Sequence, residues 1–388
     1  MTSPGTVMVV GTGETEFTRR SNRSVRELTV DAMSRALADA GLTIGDIDAV
    51  IPLGGDVSAD DLVSNMGASR CVVDAHPPMG GNSGVAALAL AEAIMISGRA
   101  DTVAIVFARN GSSARRVDSR VGSLPGQHLR TYLERPHGWI TPAQWYSVIA
   151  KRHEIEFGSS KAAMAEVAVT ARRHAQLNPN AMMHRRTLTH DEYYAAPMIT
   201  DPYQRYDCCL ETDGAVALIL AIADRAERLP ESRPVRLLSA AAARPESPDD
   251  LTNREDWFDI GLTLAAPLAY AAAGLGPEDV DVAMVYDCFT FEVLHQLEEA
   301  GFCERGGSAE LVLSGATRLG GRLPVNTHGG LLAEGHLGGV SHVTEAVRQL
   351  RGEAGRRQVD GARIAAVTGW GDWGDGSLAL LGSVGHHG

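Results

Sequence analysis

One stretch concentrates side chains able to move protons and place an anion: Val325-Asn-Thr-His-Gly-Gly-Leu-Leu-Ala-Glu-Gly-His-Leu-Gly-Gly-Val-Ser-His342. It carries His328, His336 and His342, with Asn326, Glu334 and five glycines. An imidazole changes charge near neutral pH and so serves as acid or base. Glycine tolerates positive φ and lets a backbone approach a ligand closely. The stretch runs into an amphipathic helix over Val343–Leu350. The first N–H groups of a helix lack partners and favour an anion or oxyanion. The plainer alternative is a tight connection whose histidines only satisfy hydrogen bonds.

Other chemistries are excluded on spacing and charge. The three histidines, at intervals of eight and six, do not fit a helical zinc pair, and no CxxC accompanies them, so no metal site is predicted. Gly11 and Gly13 lack the third glycine of a dinucleotide fingerprint, and no redox cofactor is expected. Cys71, Cys208, Cys209, Cys288 and Cys303 show no disulfide-like spacing, and their odd number fits a reducing compartment. A formal net charge of −13 argues against nucleic acid and anionic membrane surfaces. The N-terminus has no basic region or long apolar run, and no stretch reaches the roughly 20 apolar residues of a membrane span. A cytoplasmic protein is expected.

The elements that must position these residues alternate. Thr6–Val10, Ile47–Leu53, Thr102–Ala108 and Gly214–Ile222 read as strands. Val25–Ala40, stopped by Gly41, and the Ala-rich Val85–Ile96 read as helices, which together predict a layered α/β fold. At 388 residues the chain should form two cores, 1–232 and 233–388, joined by Asp224–Pro234. Residues of about 110–200 break the rhythm, with helices over Pro142–Glu156 and Lys161–Leu177. They read as an insertion over the site, bringing Arg115, Arg116, Arg120, Arg172 and Arg173 either to an anion or to a solvated face. The halves also repeat. Ala40-Gly-Leu-Thr-Ile-Gly-Asp-Ile-Asp-Ala-Val50 returns as Ala273-Gly-Leu-Gly-Pro-Glu-Asp-Val-Asp-Val-Ala283, and Gly80–Gly98 returns as Gly335–Gly352. Each half therefore feeds a loop into a helix N-terminus, and both loops should meet near one pseudo-twofold site.

A family resemblance rests on Asn178-Pro179, Asp207-Cys-Cys-Leu-Glu-Thr-Asp-Gly-Ala215, Tyr286-Asp-Cys-Phe-Thr290, Asn326-Thr-His-Gly-Gly330, Gly335-His336 and Glu345-Ala-Val-Arg-Gln-Leu-Arg-Gly352. Together these resemble the thiolase superfamily, in its sterol-carrier-protein-like branch, along almost the whole chain. The resemblance implies a five-layered αβαβα thiolase fold of two repeated halves with an inserted loop domain, a homodimer, and acyl-coenzyme A substrates. The departures are specific. Where such thiolases carry Cys-x-Ser-Gly, this chain reads Gly81-Asn-Ser-Gly84, and the second cysteine expected near Thr368-Gly-Trp-Gly371 is absent. Without a thiolate, covalent acyl transfer has lost its nucleophile. Tyr286-Asp-Cys-Phe also stands where the branch often has His-Asp-Cys-Phe. This combination resembles the thiolase-like aldolases that shorten steroid side chains, which cleave a β-hydroxyacyl-coenzyme A beside a small OB-fold/zinc-ribbon partner. In those, a second tyrosine stands at the position of His336; here the thiolase-like Gly335-His336 remains.

A retro-aldol cleavage needs a base for the β-hydroxyl proton and donors for the thioester oxygen, but no covalent intermediate. Tyr286 is the candidate for the proton, though a phenol of pKa about 10 needs cationic or histidine neighbours to act near neutrality. His336 can polarise the thioester oxygen or take the proton itself. Asp287 joins them, chiefly by orienting their loop. Asn326, His328 and the N–H groups of Gly329 and Gly330, with Asn82, Ser83 and His342, are candidate oxyanion and substrate contacts. Trp370–Asp375 either walls the acyl pocket or only packs. The first reading is a carbon–carbon lyase with coenzyme A as part of its substrate and no cofactor of its own. A cysteine-independent acyltransferase is the runner-up, and a non-catalytic acyl or lipid carrier subunit is a third.

Overall fold

The repeat is visible in the order of the strands. The computed structural model describes residues 6–53, 56–68, 71, 73–75, 77, 80–113, 130–158, 160–229, 232–246, 251–371 and 374–384. The first half supplies β1 (Val7–Glu14), β2 (Ala49–Leu53), β3 (Val73–Asp74), β4 (Thr102–Asn110) and β5 (Asp213–Ile222). The second supplies β6 (Val235–Ala243), β7 (Val282–Met284), β8 (Ile364–Gly371) and β9 (Asp375–Ser383). Among the described residues these form one sheet in the order β3-β2-β4-β5-β1-β6-β9-β8-β7. The first strand of each half meets at the middle, antiparallel, with Val7 opposite Leu237 and Val9 opposite Val235. Outward from that seam, β1-β5-β4-β2 mirrors β6-β9-β8-β7.

Eight helices matter for the site: α1 (Val25–Ala40), α2 (Ser83–Ile96), α3 (Pro142–Phe157), α4 (Lys161–Ala175), α5 (Gly261–Ala273), α6 (Thr290–Glu299), α7 (Gly330–Ala333) and α8 (Val340–Arg351). Strand β1 is apolar at successive positions because both its faces are covered. Met8 and Val10, with Val106 and Ile219, pack against Leu28, Ala32 and Met33 of α1. Val7 and Val9 face the other way, into a core shared by α2, α8 and the second half through Leu237, Met284, Val367 and Leu381. The outer face of the second half, with Ala366 and Leu380, is covered by α5 and α6 and by α3 of the insertion. Helices thus lie on both outer faces and, as α2 and α8, between the two halves of the one continuous sheet, which gives the five-layer arrangement expected.

The repeated Ala-Gly-Leu is a helix stop. Gly41 and Gly274 take positive φ of 66° and 67° after α1 and α5. In each, the next leucine N–H returns to a carbonyl five residues back, Leu42 to Leu37 and Leu275 to Tyr270, closing a Schellman motif. Helix α1 begins with Ser24 and Glu27 exchanging hydrogen bonds as a capping box.

Several boundaries differ from expectation. Strand β1 runs to Glu14, past Gly11 and Gly13. Those two glycines let the strand lie directly on α1: a β-carbon at Gly11 would sit 2.8 Å from Ala40 Cβ and still closer to the Ala36 carbonyl. Helices α2 and α8 start earlier than predicted, at Ser83 and Val340. The insertion helices run to Phe157 and stop at Ala175. Arg115, Arg116 and Arg120 lie outside the described residues. Among the described residues no helix is long and apolar enough to cross a membrane.

Candidate active site

The site is built on the three residues that follow β7. Asn326, at φ 52°, holds both backbone groups of Val285: its Oδ1 accepts from the amide at 2.8 Å and its Nδ2 donates to the carbonyl at 2.7 Å. Thr368 Oγ1 accepts from the amide of Tyr286 at 3.2 Å, and Gln296 Nε2 donates to the Tyr286 carbonyl at 2.7 Å. Four side-chain bonds thus fix the main chain that carries Tyr286, a side chain only 3% exposed.

The Tyr286 hydroxyl lies 3.1 Å from His336 Nε2. On the other side of that ring, His336 Nδ1 lies 2.9 Å from the Arg109 guanidinium at the end of β4. The main-chain N–H of His336 donates to Thr212 Oγ1 at 2.9 Å. Burial pushes the Tyr286 phenol well above its ordinary pKa, reinforced by Cys288, Cys209 and Asp287 and opposed by the charge of Arg109.

Two glycines make room for the tyrosine ring. A β-carbon on Gly81 would lie 2.6 Å from Tyr286 Cζ and closer still to its hydroxyl oxygen. One on Gly339, at φ 77°, would lie 3.0 Å from Tyr286 Cδ2. The phenol therefore fills the space into which a nucleophile at position 81 would project. A cysteine there and Tyr286 in this pose exclude one another.

Most of the other predicted contacts turn out to be framework. Asp287 is fully buried and accepts from the amides of Leu331 at 2.8 Å and Leu332 at 3.3 Å and from His342 Nε2 at 3.1 Å, so it caps α7 rather than reacting. Gly330 is required there, since a β-carbon would lie 2.6 Å from Asp287 Cγ. Asn326 holds Val285 through its Oδ1 and one N–H of its Nδ2, and the Gly329 N–H donates to the Asn326 carbonyl at 2.9 Å, so both are engaged with main chain in this structure. His342 Nε2 is shared between the Val285 carbonyl and Asp287, each at 3.1 Å. His328 packs edge-on against the His342 ring at 4.8 Å and approaches Glu334 Oε2 at 3.6 Å. Burial holds its pKa well below the usual range, helped by His342, Arg357 and Arg348. Burial likewise drives the Glu334 carboxyl well above its range, while Asn178 donates to it at 2.7 Å. Ser83 donates to the Pro77 carbonyl at 2.8 Å, and Asn82 accepts from Ser377 at the β8–β9 layer. Trp370 is fully buried and edge-on to Tyr146 at 5.6 Å, so its packing reading holds.

Sequence reading missed Arg109, Thr212, Gln296 and Thr368. Only Arg109 left a signal, a cation closing the otherwise apolar run Thr102–Ala108. A hydroxyl or an amide in a strand or helix carries no mark of what it will hold.

A cleft of about 1140 Å³ opens beside the site. Phe17, Met182, Cys209 and Leu332 line it together with Arg19, Arg172, Arg185, Arg186 and Arg205. Two of its lining residues touch the segments that carry the pair: Phe17 abuts Gly335, and Cys209 N–H donates to the Cys288 carbonyl at 2.9 Å. Arg172 is 8% exposed, lies over the Tyr206 ring at 5.8 Å, and pairs with no carboxylate among the described residues. Its neighbour Arg173 is exposed, as a solvated face requires.

The thiolase C-terminal domain-like family matches residues 245–382. A steroid side-chain-cleaving aldolase of Thermomonospora curvata is 33% identical over 381 residues, covering 95% of this chain and 96% of that one. A 17-hydroxy-3-oxo-4-pregnene-20-carboxyl-CoA lyase of Mycobacterium tuberculosis is 35% identical over 360 residues, covering 90% and 92%. The solved structure named Ltp2-ChsH2(DUF35) aldolase superposes with a TM-score of 0.91 at 33% identity, covering 99% of both chains. The chain belongs to the thiolase superfamily. Within it, the relatives above are aldolases and lyases, the class that the sequence reading placed first, while an acetyl-CoA acetyltransferase of Methanothermobacter thermautotrophicus is also 33% identical, over 371 residues.

Proposed function

We propose that this chain cleaves a β-hydroxyacyl-coenzyme A by a retro-aldol reaction. The observation that carries the reading is the Tyr286 phenol, bonded to His336 and filling the space above Gly81. Covalent acyl transfer has no nucleophile there, whereas a proton-handling pair is in place. The proton of the β-hydroxyl passes to the pair, and the α–β carbon bond breaks with its electrons moving into a thioester enolate. The β-carbon departs as a ketone or aldehyde. The proton returns to the α-carbon, leaving a shorter acyl-coenzyme A and the pair restored. No water or oxidant is consumed.

Coenzyme A is the handle. The arginine-lined cleft, which Phe17 and Cys209 connect to the segments carrying the pair, supplies charge for phosphates within a chain of net charge −13. The names of the aldolase and lyase relatives support a steroid-like acyl group. The chain works beside a small partner protein, a reading supported by the DUF35 component named in the similar solved structure; the OB-fold/zinc-ribbon character of that partner and a homodimer rest on the family resemblance alone.

The test supplies a panel of β-hydroxyacyl-coenzyme A thioesters to the protein, with and without its OB-fold partner. Mass spectrometry would detect a ketone or aldehyde plus a shortened acyl-coenzyme A. Cleavage lost in Tyr286→Phe supports the lyase. Absence of cleavage across the panel, or cleavage indifferent to Tyr286, rejects it.

A further inference from the structure

We infer that Arg109 is a positioning residue for this reaction: it holds His336 as a hydrogen-bond donor and thereby leaves Tyr286 as the proton acceptor. The inference rests on the lyase reading for its chemistry, but not for its geometry. A guanidinium carries five N–H donors and no acceptor. Its 2.9 Å contact with His336 Nδ1 therefore needs a lone pair on that nitrogen. Protonating Nδ1 would set N–H against N–H beside a fixed cation. The ring is thus neutral, with its proton on Nε2, which points at the Tyr286 oxygen 3.1 Å away.

The consequence reverses a familiar arrangement. In a Ser-His-Asp triad, a carboxylate accepts from Nδ1–H and leaves Nε2 as a base. Here a donor stands at Nδ1, so Nε2 cannot accept the β-hydroxyl proton. The Tyr286 oxygen accepts from His336, and its own hydrogen remains available for substrate. Once that hydrogen is lost, the phenolate faces an N–H backed by a cation.

Arg109 is itself located. It pairs with Gly214 across β4 and β5, and its guanidinium carbon lies 5.9 Å from the Phe107 ring centre. A β-carbon at Gly111 would lie 3.1 Å from Arg109 Nε and 2.6 Å from the Thr212 carbonyl, so glycine leaves the side chain its room. Thr212 is the residue that also receives the His336 N–H. One strand pairing thus places both partners.

The experiment reads the tautomer directly. Solid-state 15N NMR of histidine-labelled protein, with a His336→Gln difference spectrum, assigns the two ring nitrogens without substrate. The wild type should show Nδ1 bare and Nε2 protonated, with no titration from pH 5 to 9. In Arg109→Met, His336 should titrate, kcat should fall about 10²-fold with KM held, and an acid limb should enter the pH profile. Arg109→Lys, which keeps a donor cation, should recover part of kcat and the wild-type tautomer. A protonated Nδ1 in the wild type, or an Arg109→Met enzyme with unchanged kcat and pH profile, overturns the inference. Failure of the lyase reading would show instead as absent cleavage beside an intact tautomer.

Discussion

Gly81 and Tyr286 occupy one site between them: a β-carbon on the glycine would fall 2.6 Å from Cζ of the tyrosine and nearer still to its hydroxyl. The exchange of cysteine for glycine and the arrival of tyrosine are therefore one change, made in a fixed volume. Gly81→Ala should cost about 1–3 kcal/mol of stability and push Tyr286 off His336, lowering kcat about 10²-fold. In Gly81→Ala/Tyr286→Ala, thermal unfolding should show less than the sum of the two losses, because the alanine then has a cavity to enter. Relief should be partial, since the Trp370 carbonyl also lies 2.6 Å from the added carbon. Additive losses would mean the two residues do not compete for space.

The pH profile should rise toward alkali. Burial raises the phenol of Tyr286 well above its ordinary pKa, so the phenolate is a minor form throughout the neutral range. Its fraction grows about tenfold per pH unit while pH stays below that raised value. If Tyr286 accepts the proton, kcat/KM should climb in step, and Tyr286→Phe should lower kcat by about 10²–10⁴ and leave the remainder flat. A wild-type profile already level between pH 7 and 9 would remove Tyr286 as the base.

Asn326 is predicted to act through Val285. Asn326→Asp keeps a side chain tolerant of φ 52° and keeps the acceptor for the Val285 amide. It replaces the donor that holds the Val285 carbonyl with a carboxylate oxygen, leaving two acceptors face to face. The loss should be about 2–3 kcal/mol in denaturant melts, with kcat reduced more than KM because Tyr286 follows directly. A variant that loses affinity but keeps kcat would restore Asn326 as a substrate contact.

The architecture was legible because its signals are local. Apolar runs, the Ala-rich stretch of α2 and the Ala-Gly-Leu stops each sit within a few residues, and each marks an element the structure contains. The division of labour inside the glycine-rich stretch was not. Asn326, Asp287 and His342 are the residue types an active site uses, but their tasks depend on partners 41, 44 and 55 residues away. Arg109 meets His336 across 227 residues, which no spacing rule reaches. What separated framework from chemistry was the order of contact: the clamps end on the backbone, and the tyrosine–histidine pair does not end there.

A second buried acid behind the site should govern stability. Glu292 on α6 is fully buried, its two oxygens receiving the Tyr203 hydroxyl at 3.0 and 3.2 Å. Burial raises its pKa to about 8, with the hydrogen bonds from its own backbone and Tyr203 opposing and Asp207 adding. In the unfolded chain the same group titrates near 4.5. Between those two values the folded protein holds a proton that the unfolded chain has released. Its contribution to stability is therefore full below about 4.5 and falls by about 1.4 kcal/mol per unit as pH rises toward 8. Glu292→Gln keeps an acceptor for Tyr203 and cannot ionise. Urea melts at pH 5, 6, 7 and 8 should show the variant gaining on the wild type at each step, with the largest difference at pH 8. Parallel curves would mean that Glu292 is already ionised in the folded protein, and that Tyr203 stabilises a carboxylate rather than a neutral acid.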